Sequence, residues 1–119
     1  MSQSKELGKK GEELAVAFLE EKGYHIIARN WKYHKAEVDI IAEIDDLLVF
    51  VEVKTRSSTD FGKPHEFLKP PQIKRLTTAA DAFCVQFNRK EEVRFDIVAI
   101  GIKKSVPEIE HIERAFYWF

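Results

Sequence analysis

The chain has 119 residues, 45% of them hydrophobic and 33% charged, with a formal net charge of −1. That length suits one domain with a core and is short for two, and the near-balanced charge argues against a protein that coats nucleic acid by bulk electrostatics. The single cysteine, Cys84, excludes an internal disulfide and a thiolate zinc site, no apolar run is long enough to span a membrane, and the first residues lack a signal-peptide core, so cytoplasmic residence is expected.

Residues 4–22 carry Leu7, Gly11, Leu14, Ala15 and Phe18 at helical spacing, and Gly23 follows as a stop. Residues 24–32, rich in Tyr, Ile and Trp, predict a strand. Residues 36–44 alternate, with Val38, Ile40, Ala42 and Ile44 on one face and Glu37, Asp39, Ile41 and Glu43 on the other. Residues 47–56 begin apolar on both faces, the pattern of a central strand covered on both sides. Ser57 to Pro71 reads as a long loop. Pro71 then opens a helix running to about Phe87, with Ile73, Leu76, Ala80, Phe83 and Phe87 as its core face. Residues 93–102 are a β-branched strand, and an aromatic tail, Phe116 to Phe119, ends the chain. That tail either closes the core or meets a second copy in a homodimer. Helix, three strands, helix and strand predict an α/β (α+β) fold: a mixed sheet flanked by helices in one layered domain over residues 1–119.

A tight turn at Asp45-Asp46 pairs Asp39 with Glu52 and Glu37 with Lys54 across the two strands. Like charges facing each other on a ladder destabilise it. A hard cation between Asp39 and Glu52 would remove the conflict, with the Val53 carbonyl as a third oxygen. Such a site suits Mg²⁺, with Mn²⁺ as a substitute, and phosphodiester hydrolysis: the metal polarises a phosphate oxygen and activates water, while Lys54 orients that water or neutralises the phosphate. A Glu-x-Lys on a strand is also an ordinary structural ion pair; it is Asp39 opposite Glu52 that tips the reading. From Lys54 to Arg75 six basic residues face two acidic ones, so Arg56, Lys63, Lys74 and Arg75 are candidates for holding a nucleic-acid backbone. The histidines have no metal-ligand spacing and read as surface or strand residues. Asp96 reads as a structural hydrogen-bonding residue, with Arg29 or Arg56 as candidate partners.

Asp39 followed by Glu52-Val53-Lys54 resembles the PD-(D/E)XK nuclease superfamily. More closely, the chain is similar to the YraN-like family of bacterial predicted endonucleases, which are distantly similar to archaeal Holliday-junction resolvases. The matching segments are Gly8-Lys9-Lys10-Gly11-Glu12-Glu13-Leu14-Ala15, Arg29-Asn30, Ala36-Glu37-Val38-Asp39, Val49 to Arg56, Phe61-Gly62-Lys63-Pro64 and Arg94-Phe95-Asp96. The resemblance implies a restriction-endonuclease-like three-layer fold and adds Glu12 as a first-helix acid at the metal. It also places Gln72 and Lys74 at the cleft. Ala36 stands where the family usually has Gly, and Pro71 where a Lys commonly precedes Gln72. The function expected is a Mg²⁺-dependent DNA endonuclease, with branched or damaged DNA as candidate substrates. The alternative is a non-catalytic nucleic-acid-binding or assembly module that retains the nuclease fold.

Overall fold

A computed structural model describes residues 2–56, 68–102 and 106–116, with side chains from residue 6 onward. Helix α1 (Ser2–Glu21) leads into three strands, β1 (His25–Tyr33), β2 (Ala36–Ile44) and β3 (Leu47–Arg56). Helix α2 (Pro70–Gln86), β4 (Glu92–Gly101) and β5 (Glu108–Phe116) follow. The five strands form one mixed sheet in the order β1-β2-β3-β4-β5. β3 and β4 are parallel, joined through α2, and the other neighbours are antiparallel.

The apolar pattern of each element accounts for the layering. Ala15 and Leu19 of α1 pack with Ile40, Ala42, Val49, Val51, Val98 and Ile100 on one side of the sheet. Leu76, Ala79, Ala80 and Phe83 of α2 pack with Val38, Ile41, Leu48, Phe50 and Phe95 on the other. β3 is therefore a central strand buried from both faces, as its unalternating start, Leu47 to Val51, predicts. Gly11 fixes how closely α1 approaches it: a Cβ built there would collide with the side chain of Thr55 on β3, 2.9 Å from its Cβ. Only a glycine lets the helix sit this near the strand.

Three expectations change. The tail contains a fifth strand, which pairs with β4 and stacks Phe116 on Phe95 at 4.8 Å between ring centroids. Its pattern was obscured by an irregularity opposite Phe95–Ile97 and by Arg114, whose φ of 53° lies in the left-handed region. Residues 117–119 lie outside the described residues. Phe87 does not complete the core face of α2 but caps the helix, 48% exposed. The alternation of β2 breaks at Asp39, so that Val38 joins Ile41 on the α2 side while Ile40 and Ala42 face α1. The break falls where β2 leaves β3.

Asp96 is a buried structural residue, but neither expected arginine is its partner. It accepts hydrogen bonds from Arg94 Nε (2.9 Å) and Nη2 (2.8 Å) and from the Arg114 amide (3.0 Å), and it lies 2.7 Å from His111 Nε2. Arg94 also donates to the Tyr24 hydroxyl at 2.5 Å. Burial works to raise the Asp96 pKa, but the bonds to His111, Arg94 and the Arg114 amide outweigh it and hold the carboxyl below its ordinary value. This network fastens β5 to β4 and to Tyr24, the residue just before β1.

Candidate functional site

The predicted register of the β2–β3 hairpin is correct for its paired part, from Ile44↔Leu47 to Ile40↔Val51. There the ladder stops. β2 continues along β1, with Val38 opposite Trp31 and Glu37 opposite Lys32, while β3 continues along β4 from Glu52 to Arg56. The sheet forks at Asp39 and Glu52, so the expected ladder pairs Asp39–Glu52 and Glu37–Lys54 are not formed. Asp39 supplies the missing bond itself, its Oδ2 accepting the Val53 amide at 2.8 Å. A strand residue's N–H and C=O leave the same side of the strand, so the Val53 carbonyl also faces the fork.

The two carboxylates meet in a cleft of about 370 Å³ lined by Glu12, Asp39, Glu52, Val53, Lys54 and Arg56. Burial, then the neighbouring Glu52, push the Asp39 carboxyl from 3.8 up to about 8, against the pull of the Val53 amide; Glu12 and Glu37 add to the rise. Burial raises Glu52 too, against Lys54 and a hydrogen bond with Asp39. Two carboxyls crowded in a low-dielectric cleft cannot both ionise without help and so hold a proton between them. Lys54 Nζ lies 3.3 Å from Glu52 Oε2, both side chains less than one-fifth exposed. The ammonium thus compensates Glu52, and Asp39 has the Val53 amide.

This donor set fits Mg²⁺: hard oxygens with a charge conflict that a divalent ion resolves, the ion's remaining positions being filled by water or substrate. Glu12 lines the same cleft as the pair and adds to the rise of Asp39, and it also lines an adjoining cleft with Lys9, Arg29, Asn30 and Glu37. No three His, Cys, Asp or Glu side chains among the described residues come together as a metal-binding cluster.

The other predicted residues divide. Arg56 is exposed at the rim, with Nη1 donating to the Thr55 carbonyl at 3.2 Å. Gln72 lies on the α2 side of the fork, in a cleft with Lys35, Glu37, Glu52 and Arg75, and its Oε1 accepts the Lys69 amide at 3.0 Å. Arg75 reaches that same cleft, and Lys74 lies one residue before it, in a neighbouring groove. Lys63 lies outside the described residues. Lys35 was missed. It sits at the β1–β2 turn, far in sequence from the basic run, and only the hairpin brings it to α2. No helix among the described residues is long and apolar enough to cross a membrane.

A model of the uncharacterised protein family UPF0102 matches residues 11–100. A UPF0102 protein of Flavobacterium psychrophilum is 48% identical over 119 residues, covering all of both chains. One of Christiangramia forsetii is 50% identical over the same full length. One of Bacteroides thetaiotaomicron is 48% identical over 117 residues, 98% of this chain and 97% of its own.

Proposed function

This chain belongs to the uncharacterised protein family UPF0102, and from that premise we propose that it is a Mg²⁺-dependent DNA endonuclease built on the PD-(D/E)XK plan. The observation that carries the reading is the fork: two crowded carboxylates, Asp39 and Glu52, with Lys54 beside them at the point where β2 and β3 part. A purely structural pair gains nothing from a second buried acid, whose burial costs free energy unless a cation joins it.

Asp39, Glu52 and the Val53 carbonyl would hold the ion. When bound, Mg²⁺ supplies a Lewis acid for a phosphate oxygen and lowers the pKa of a water. Lys54, already placed against Glu52, neutralises charge developing on the phosphate and orients the attacking water. Glu12, which lines the same cleft, is the auxiliary acid, joining them at the ion or acting on that water. Arg56, Lys74 and Arg75 hold the strand on either side, so affinity falls steeply with salt.

A second reading, a binding or assembly module without catalysis, draws on the Lys54–Glu52 ion pair, which neutralises one of the acids without a metal. One experiment separates them. The purified protein is incubated with linear, single-stranded and four-way-junction DNA in Mg²⁺ or Mn²⁺, beside Asp39→Ala and Glu52→Ala. Cleavage by the wild type that both substitutions abolish supports the nuclease. Cleavage that survives both sinks the site assignment, and binding in chelator with no cleavage of any substrate favours the module.

A further inference from the structure

The groove on the α2 side of the fork has a second chemistry that phosphodiester hydrolysis does not require. The β1–β2 hairpin closes through His34 and Lys35, with Tyr33 paired to Ala36 and His34 at a φ of 55°. Tyr33 and Trp31, two residues apart on one face of β1, stack at 6.3 Å with rings 3° from parallel. Trp31 is in turn set edge-on against Phe83 of α2 at 5.3 Å. The Tyr33 ring is thus backed by the core, yet it is 36% exposed. His34 meets it edge-on at 4.4 Å.

Beside this ring is a groove of about 360 Å³ between the hairpin tip and the first turns of α2, lined by Tyr33, His34, Ala36, Pro71, Lys74 and Arg75. Its floor is apolar and aromatic. Its rim is cationic, since Lys and Arg lay their methylene stems along apolar surface while their charges stay in water. Lys35 and Arg75 line both this groove and the cleft that contains Gln72, Glu37 and Glu52. The groove and that cleft therefore adjoin, with cations at the Tyr33 end and the carboxylates Glu37 and Glu52 at the end nearer the fork.

An apolar aromatic floor with a cationic rim complements a nucleotide, with its flat base and its anionic phosphate. A base stacked inside a duplex has no free face to offer the Tyr33 ring, whereas an unpaired one has. We propose that this groove binds an unpaired stretch of DNA, with a base stacked on Tyr33 and its phosphates against Lys35, Lys74 and Arg75. Resting on the nuclease reading for the place of the cut, the substrate class is DNA with unpaired nucleotides beside the scissile phosphate: a flap, a gap or a single strand.

The test is binding in chelator, which needs no metal and no cleavage. Fluorescence anisotropy compares a single-stranded oligonucleotide, a flapped duplex and a blunt duplex of the same sequence, and 2-aminopurine in the unpaired stretch reports stacking by quenching. The single-stranded and flapped DNAs should bind more tightly than the blunt duplex. Tyr33→Ala should weaken that binding by roughly 5- to 150-fold, the contribution of one stacked base, and abolish the quenching. Tyr33→Phe should retain both, while Lys74→Ala with Arg75→Ala should flatten the salt dependence by about 0.7 for each phosphate no longer neutralised. Equal affinity for blunt and unpaired DNA, or Tyr33→Ala that binds and quenches like the wild type, overturns the proposal. Tighter binding of RNA than of DNA overturns its assignment to DNA. The two readings fail separately. If no DNA is cut yet the Tyr33-dependent preference persists, the groove stands without the nuclease. If Asp39-dependent cutting treats blunt and flapped DNA alike and Tyr33→Ala cuts unimpaired, the nuclease stands without the groove.

Discussion

Removing the charge conflict at the fork should change how stability depends on pH. In the folded chain Asp39 holds its proton up to about pH 8, whereas in the unfolded chain it releases it near 3.8. Between those values the folded state binds more protons than the unfolded one, so the free energy of unfolding falls as pH rises. At 1.36 kcal/mol per pH unit the full interval corresponds to at most about 6 kcal/mol. Sharing the proton with Glu52, and the opening of the cleft to water, reduce this to about 3 kcal/mol. For a chain of this length that is about 10 °C in Tm. Thermal melts in chelator from pH 4 to 9 should show the wild type losing stability across this range and Asp39→Asn losing much less. The Asp96 network acts in the opposite sense and at lower pH: its stability is present above the ordinary aspartate value and is lost as pH falls below it. Comparison of variant with wild type therefore isolates the fork. Adding Mg²⁺ at pH 8 should restore wild-type stability by about 2.7 kcal/mol at a hundred times its Kd, and should leave Asp39→Asn unmoved. Superimposable pH profiles for wild type and Asp39→Asn would refute the argument that the two carboxyls compete for one proton.

Other expectations concern the scaffold and the chemistry. Gly11→Ala drives a methyl into Thr55 and should cost about 1–3 kcal/mol in urea unfolding despite its better helix propensity. Gly8→Ala, with nothing within 4 Å of the new methyl, should instead stabilise by about 0.5–1 kcal/mol; equal effects at the two glycines would contradict the close approach of α1 to β3. Asp96→Ala leaves the Arg94 guanidinium buried without its carboxylate and should cost about 3–5 kcal/mol, read from the same urea titrations. Lys54→Met should lower single-turnover cleavage by about 100- to 1000-fold, as loss of one charge-stabilising donor does elsewhere. Unchanged cleavage would remove Lys54 from the mechanism.

How much could be read in the chain differs from element to element. β2 and β3 were legible to the residue because the Asp45-Asp46 turn sets the register and Leu47 to Val51 is apolar on both faces. β5 was not, because an irregular pairing and the left-handed Arg114 disrupt its period, and because its anchor, Asp96, lies 18 residues from the Arg114 amide that it accepts. Asp39, Glu52 and Lys54 could be named from strand alternation and a turn. That their strands part there could not, since the fork arises from β2 choosing β1, and β3 choosing β4, beyond Ile40 and Val51.

By itself the sequence determined the order of the elements as far as β4, the two-sided burial of β3 and the acid pair, because these follow from local periodicity and a short turn. Only the tertiary structure decided that Glu12 lines the cleft of that pair and that Gly11 seats its helix on Thr55. It alone brought Tyr33 and Lys35 across to Lys74 and Arg75. The reason is physical: alternation and spacing specify which face a side chain takes, but which faces meet depends on long-range packing that no window of the chain contains.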